Sequence, residues 1–318
     1  MATCLVTGAA GFVGSSLAKR LVADGHEVTG VDCFTDYYPR ATKERNLAGL
    51  VDEAHFQLRE EDLLEAELAP LLDGAEFVFH EAGQAGVRGS WGDSFSTYAD
   101  ANILVTQRLL EAAAKSSLKR FVFASSSSIY GSAPELPTTE TTLPRPVSPY
   151  GVTKLAAEHL CRLYAENLGV PTISLRYFTV YGPGQRPDMA FNKFVRAILA
   201  GEELVVHGDG EQTRDFTYVA DIVRATIAAG IDSEGIEAGS VYNIGGGDRV
   251  TVNRVIRVLG SILNSTPKVK YMEPQAGDAR HTYADCSAAA RDLGYSPSWT
   301  LEAGLSQEAE WLRLELNP

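Results

Sequence analysis

The chain has 318 residues, 45% hydrophobic and 22% charged, an ordinary composition for a globular protein of one large domain or two smaller ones. Its formal net charge of −13 excludes the basic balance that nucleic acid or an anionic membrane surface selects. No apolar run approaches the roughly 18 residues that cross a bilayer, and Cys4, Cys33, Cys161 and Cys286 are too scattered for a zinc site or a disulfide framework.

A strand-like run, TCLVTG, starts almost at once and is expected to leave no room for a signal peptide. A reduced, cytoplasmic, metal-free protein is the expectation. A helix from about Phe12 to Asp24 follows the strand, and TGAAGFVGSSL between them spaces Gly8, Gly11 and Gly14 as G-x-x-G-x-x-G. Glycine lets the backbone turn tightly and approach a pyrophosphate, which then sits at the helix N-terminus formed by Phe12 and Val13. A glycine turn without ligand is the plainer alternative. Asp32 argues against it, because it ends the next strand, HEVTGVD, about 20 residues on, where a carboxylate accepts both ribose hydroxyls of a dinucleotide. The same charge repels a 2′-phosphate and so favours NAD over NADP. Asp62 follows another strand-like run and either accepts from the adenine amine or closes a solvated turn.

AEFVFHEAG is the next strand, and FSTYADANILVTQRLLEAAAKSS predicts one long helix over Phe95–Ser116. KRFVFAS predicts a further strand that runs straight into SSSSIYG, Ser125 to Gly131. Four serines usually mark a flexible linker, an odd thing to place at the end of a buried strand. The helix of PYGVTKLAAEHLCRLYAENLG and the strand of PTISLRYF complete the series. Short β-rich strands alternating with helices predict an α/β fold, a Rossmann-type doubly wound parallel sheet covered on both faces. After about Val180 the chain turns to Gly/Pro/Asp-rich loops between shorter elements, and no repeat is visible. The expected division is a dinucleotide domain over 1–180 and a smaller, mainly substrate-binding domain over 181–318, with segments returning to the first.

Tyr150 and Lys154 lie four residues apart on the predicted helix, one turn apart on one face. A phenol with a pKa near 10 is a poor base at neutral pH. An adjacent ammonium and a nicotinamide's positive charge favour the phenolate; a drop of about three units amounts to roughly 4 kcal/mol. Such a pair is more often a surface contact, and only its place after a nucleotide-binding pattern and a serine-bearing strand makes it a site.

Taken together, G-x-x-G-x-x-G, HEAGQAG, SSSSIYG, Y-x-x-x-K, RYFTVYGPGQRPDMAF, GDGEQTRDFTYVAD and GDARHTYAD resemble the extended short-chain dehydrogenase/reductases, which include the NAD-dependent nucleotide-sugar epimerases and dehydratases. The motifs run from Thr7 to Asp285. The resemblance implies tightly held NAD, a small sugar-nucleotide domain and a hydroxyl–Tyr–Lys triad. Its hydroxyl falls on Ser126, with Tyr150 as base and Lys154 holding the nicotinamide ribose. It also assigns Asp62, Leu63, Ala82 and Gln84 to the cofactor, and gives Asn102 a structural role. The homodimer it implies forms through the helices Phe95–Ser116 and Tyr150–Leu168.

Within that family, 4,6-dehydratases resemble one another in an acid pair at the two positions after the triad hydroxyl, and UDP-glucuronate decarboxylases carry a glutamate at the second. Here those positions are Ser127 and Ser128. A serine orients substrate but cannot do that acid–base work at neutral pH, so simple epimerisation is the expected reaction and the linker reading falls. Thr179, where many neutral-sugar relatives carry Asn, together with R-P-D-M-A is similar to the UDP-glucuronate 4-epimerases. Arg186 offers a fork suited to a carboxylate, the alternative being a surface loop arginine. For the nucleotide, the resemblance points to Arg214 at the diphosphate and to Val205 and His207 at the uracil; His207 is equally readable as a partly buried histidine. A second diphosphate arginine of relatives is Gln275 here, leaving Arg88 or Arg280 to compensate. Thr282 is small where some galactose epimerases carry tyrosine, which leaves room for an N-acetyl sugar. The reading is therefore an NAD-dependent UDP-glucuronate 4-epimerase, with a UDP-N-acetylglucosamine or UDP-glucose 4-epimerase, or a non-catalytic NAD-binding regulator, as the alternatives.

Overall fold

A computed structural model describes residues 1–316 except 276. The strands are β1 (Thr3–Thr7), β2 (Glu27–Asp32), β3 (Phe56–Glu60), β4 (Phe77–His80), β5 (Arg120–Ser126) and β6 (Thr172–Tyr177), followed by β7 (Thr179–Tyr181), β8 (Glu203–His207), β9 (Thr213–Tyr218), β10 (Ser240–Ile244), β11 (Arg249–Thr251) and β12 (Lys268–Met272). Seven of them form one sheet in the order β10-β6-β5-β4-β1-β2-β3, every pair parallel. This is the doubly wound α/β sheet that the alternation of strand and helix predicts.

The strands alternate side chains between two apolar layers. Val6, Phe79 and Val122 pack with Leu17 of the helix Phe12–Ala23 and Ile222 of the helix Val219–Gly230. Leu5, Val78 and Phe121 face the other way, onto Leu109 and onto Ala157 of the helix Pro149–Leu168. Burial on both faces explains why these strands read as nearly continuous apolar runs. The order reverses between β1 and β4, so the crevice at their carboxyl ends is where such sheets receive ligands.

Two smaller sheets, β11-β9-β7 and β12-β8, stand beside this crevice. β10 returns to the edge of the large sheet beside β6. No helix among the described residues is long and apolar enough to cross a membrane.

One expected element differs. Phe95–Ser116 is not a single α-helix: Phe95–Ala99 is α, Asp100–Leu104 forms a π turn, and Val105–Ala113 is α again. The cause lies in Asn102. Its Nδ2 donates to the Gln84 carbonyl at 3.0 Å and to Thr153 Oγ1 at 2.9 Å, tying the helix to the β4 loop and to the Tyr150 helix. A π bulge inserts the extra residue that such a reach requires.

Candidate active site

The glycine turn is built so tightly that side chains do not fit. Gly8 has φ +67°, and a Cβ on it would stand 2.8 Å from the backbone of Ala82 after β4. A Cβ on Gly14 would stand 2.1 Å from the Gly8 carbonyl oxygen, so the helix starts pressed against the turn. Gly11 caps that helix without any side-chain bond, and its first turn, Phe12 and Val13 included, lines the cleft with free N–H groups and the positive end of the dipole. Asp32 ends β2 buried, accepting from Ala10 N at 3.1 Å and Phe34 N at 2.8 Å, with the Lys43 ammonium 3.5 Å away. Lys43 had no signal in the sequence: it sits in a polar helix, Arg40–Leu47, with no apolar face to mark it as buried. Asp62 is exposed, its carboxylate accepts from Leu64 N at 2.9 Å, and it lines the cleft beside Leu63. Ala82 and Gln84 line it from the β4 loop.

The serine run divides by its contacts. Ser125 donates to Glu158 Oε2 at 2.6 Å, inside a buried network. There Arg176 holds Glu158 at 2.6 Å and also donates to Tyr130 Oη at 2.6 Å, and Tyr130 donates in turn to Asn243 at 2.7 Å. This network locks the end of β5 to the Tyr150 helix and to β6 and β10. Ser126 is buried and accepts from Ser128 N at 3.1 Å, setting the 3₁₀ turn Ser127–Ile129. Ser126, Ser127 and Ser128 all line the cleft.

Tyr150 stands near the start of its helix, where Ser148 accepts from Gly151 N at 3.1 Å and Pro149 occupies the first turn. Burial raises the Tyr150 pKa, opposed by the Ser126 hydroxyl and by the charge of Arg186. Protein groups alone thus hold the phenol neutral: Ser126 and Arg186, and not Lys154, oppose the rise, and the nicotinamide charge expected to act with the ammonium comes only with a cofactor. Lys154 is buried one turn on, its ammonium 4.7 Å from the centroid of Phe123. Burial pulls it down to about 8 against the support of Glu81.

Opposite this group, Thr179 and Arg186 line the same cleft. Arg186 is not free: its fork takes Asp188 at 2.9 and 3.0 Å, Tyr37 donates to the same carboxylate at 3.3 Å, and the guanidinium lies 5.7 Å from the Tyr37 ring centroid. Tyr37 was not marked by the sequence reading, and Asp188 entered it only as part of R-P-D-M-A, without a role. Farther along, Arg214 donates to the Thr213 and Arg280 carbonyls at 3.0 Å, and Arg88 and Asp278 act on its charge. Arg88 pairs with Asp278 at 2.8 Å and lines the cleft. Arg280 pairs instead with Asp209 at 2.8 Å, both exposed, and is not among the described residues lining the cleft. Of the two candidates for the missing anion contact, Arg88 lines the cleft with Arg214, whereas Arg280 meets Arg214 through its backbone carbonyl and turns its guanidinium to Asp209. Val205 and His207 line the cleft from β8, and Gln275 Nε2 lies 3.5 Å from His207 Nε2. Thr282 is turned to the Asp215 amide at 3.3 Å.

The cleft that gathers these groups measures about 1140 Å³, running from the glycine turn to β8. Residues 4–245 match the NAD dependent epimerase/dehydratase family. The chain belongs to that family. It is 44% identical to YtcB of Bacillus subtilis, named an uncharacterized UDP-glucose epimerase, over 97% of each chain. It is 36% identical to the UDP-glucuronate 4-epimerase of Thermodesulfobacterium geofontis, covering 96% of this chain and 95% of the relative. Among solved structures, UDP-glucuronic acid 4-epimerase from Bacillus cereus, in complex with UDP-glucuronic acid and NAD, superposes with a TM-score of 0.96 at 41% identity, covering 98% of this chain and 99% of that one.

Proposed function

We propose that this protein is an NAD-dependent UDP-sugar 4-epimerase that interconverts UDP-glucuronate and UDP-galacturonate. One observation carries the reading: Ser126, Tyr150 and Lys154 share a cleft with Arg186, Thr179, Ser127 and Ser128, and the last two positions hold no carboxyl. The relatives and the Bacillus cereus complex support it.

The residues present fit NAD. The glycine cradle leaves no room for a Cβ at Gly8 or Gly14, a buried carboxylate ends β2, and the helix N-terminus is uncapped. Gly8, Gly11, Phe12, Val13 and Gly14 would hold the pyrophosphate, Asp32 and Lys43 the adenosine ribose, Asp62 and Leu63 the adenine, and Ala82, Gln84 and Lys154 the nicotinamide end. NAD, when bound, supplies a hydride acceptor and donor at carbon 4 of the sugar, together with a positive charge beside Tyr150.

Tyr150 takes the proton of the sugar's 4-hydroxyl, with Ser126 donating to the same oxygen and the Lys154 ammonium favouring the phenolate. The 4-keto sugar then turns about its diphosphate link while Arg214 and Arg88 hold the phosphates, and Val205 and His207 the uracil. Tyr150 returns the proton to the C4 oxygen when the ketone, now presenting its opposite face, is reduced. The keto sugar is a β-keto acid and loses carbon dioxide only when the C–CO₂ bond stands perpendicular to the carbonyl plane. Arg186, Thr179, Ser127 and Ser128 hold the carboxylate near that plane, which suppresses the loss. Without a carboxyl at Ser127 or Ser128 there is no acid–base pair for dehydration.

A neutral UDP-sugar is the second reading, favoured by the Asp188 carboxylate that already occupies Arg186. Incubation with UDP-glucuronate, UDP-glucose and UDP-N-acetylglucosamine, with products resolved by NMR, separates the two. Turnover of UDP-glucose or UDP-N-acetylglucosamine at the rate of the acid would remove the uronate reading. The protein acts as a homodimer in this proposal; Phe95, Leu104 and Val152, each exposed on the helices named for that contact, support it.

A further inference from the structure

Glu81 is a carboxyl placed deep in the active cleft with no part in the chemistry so far. It follows β4 directly and lines the cleft beside Tyr177, whose hydroxyl donates to Glu81 Oε1 at 2.8 Å and lies 2.7 Å from Thr226 Oγ1. Lys154 comes close to the same loop: a Cβ on Gly83, two residues beyond Glu81, would stand 3.7 Å from its Nζ. Yet Lys154 is buried without an ion pair; among the described residues the lysine pairs are Lys43–Asp32 and Lys119–Glu76.

Among the described residues, the other groups around Lys154 supply no countercharge. His80 on β4 is bonded at both ring nitrogens, to Thr7 at 2.8 Å and Thr106 at 3.0 Å, and burial keeps it neutral. Asn102 and Phe123 are uncharged, burial holds Cys161 and Tyr150 protonated, and Glu158 is spoken for by Arg176. We propose that Glu81 is a positioning residue for the catalytic lysine, its carboxylate, fixed by Tyr177, keeping the buried ammonium charged while Tyr150 takes and returns its proton. This rests on the catalytic reading of Tyr150 and Lys154.

The electrostatics agree in direction. Burial raises Glu81 to about 7, with Tyr177 and Lys154 pulling it back, and Glu81 in turn raises Lys154 from where burial would leave it. An opposite charge favours the charged form, so removing the carboxylate lowers the lysine's pKa further. The ammonium is then lost at a lower pH, and turnover that needs it falls earlier as pH rises.

The test is an NMR titration of the lysine 13Cε signals in the protein without substrate, with Lys154→Arg assigning the resonance. Wild type should titrate near 8. Glu81→Gln, which keeps an acceptor for Tyr177, should titrate about one unit lower, the low end for a nearby opposite charge. Tyr177→Phe weakens Glu81's ionisation and should shift the lysine the same way by less; it carries the test if Glu81→Gln does not fold. The alkaline limb of kcat should move with the lysine in both variants. Equal Lys154 midpoints in wild type and variants overturn the inference. If Tyr150→Phe keeps full turnover, the catalytic reading itself fails; if it loses turnover while Glu81→Gln titrates as wild type, only the role of Glu81 is lost.

Discussion

The dinucleotide end of the cleft is made mostly of backbone, and the sugar end mostly of charged side chains. At the first end Gly8, Gly11 and Gly14 fall within one strand–helix turn, and the shape is enforced by close approach to the Ala82 loop and to Gly8 itself. At the second, Arg88, Arg186 and Arg214 arrive from three distant segments, and two of them already hold a carboxylate, Asp278 or Asp188. A backbone cradle binds one ligand shape and cannot retune without refolding. A surface of paired charges changes specificity by a single substitution. In a family that keeps its cofactor and varies its sugar, this is the division of labour that physics favours.

Tyr150 stands where the two ends meet, so its loss should have the largest effect. Tyr150→Phe removes one hydroxyl and leaves both ends of the cleft intact. Turnover should fall by about a hundredfold or more, the lower range for a general base, with NAD and UDP-sugar affinity kept. Calorimetry and initial rates read both quantities, and turnover near wild type would separate the base from this residue.

Arg186→Ala breaks the sugar end alone. With the sugar carboxylate at Arg186, as proposed, the change leaves it facing Asp188 without the guanidinium between them. By analogy with truncating one member of a buried charge pair the cost is about 2–5 kcal/mol, roughly 30-fold or more in kcat/KM for UDP-glucuronate. A larger share of decarboxylated 4-keto-pentose should appear per turnover. UDP-glucose, lacking the carboxylate, should lose little.

Asp32→Ala is the matching change at the dinucleotide end. Hydrogen bonds to a charged group contribute about 1.5–3 kcal/mol, so NAD affinity should drop by roughly tenfold or more. NADP should gain relative to NAD, because the carboxylate no longer faces the 2′-phosphate while Lys43 remains beside it. Unchanged preference in titrations of stripped protein would show that Asp32 does not read the ribose.

What the sequence made legible follows the same division. The parallel sheet was readable because β1, β4, β5 and β6 are buried on both faces and so appear as unbroken apolar runs. The glycine turn and Asp32 were readable because their chemistry is local. The π turn was not, because Asn102 is pulled by Gln84 and Thr153, both distant in sequence. Lys43, Glu81 and Tyr37 were missed for that reason too: each owes its place to a contact formed only in the folded chain. Asp188 stood in R-P-D-M-A, but its pairing with Arg186 two residues away was not drawn from the motif. Nor does spacing distinguish Arg88 from Arg280, whose difference is which aspartate each meets. The four serines sit between these cases. The sequence led to the expectation that Ser126, Ser127 and Ser128 line a site, and they do line the cleft, while the anchoring of Ser125 by Glu158 and Arg176 was not readable.

The smallest expected effect is the most discriminating. In Arg186's neighbourhood, burial alone would raise the Asp188 carboxyl, and the guanidinium's hydrogen bonds and charge pull it below the usual carboxylate range. Asp188 is therefore ionised throughout the neutral range and competes with any incoming carboxylate for the same fork. Asp188→Asn keeps the size of the side chain and a hydrogen-bond acceptor for Arg186 but removes the charge. If the sugar carboxylate sits at Arg186, KM for UDP-glucuronate should fall by about two- to fivefold, the modest size of a partly exposed ion pair. The gain should shrink as salt is raised, since screening weakens the repulsion that the substitution relieves. UDP-glucose has no charge at carbon 5 to feel the change, so its KM should stay put. Equal gains for both sugars would mean that Asp188 acts through the diphosphate or the loop rather than the uronate, and the carboxylate would then have to be sought elsewhere along the cleft.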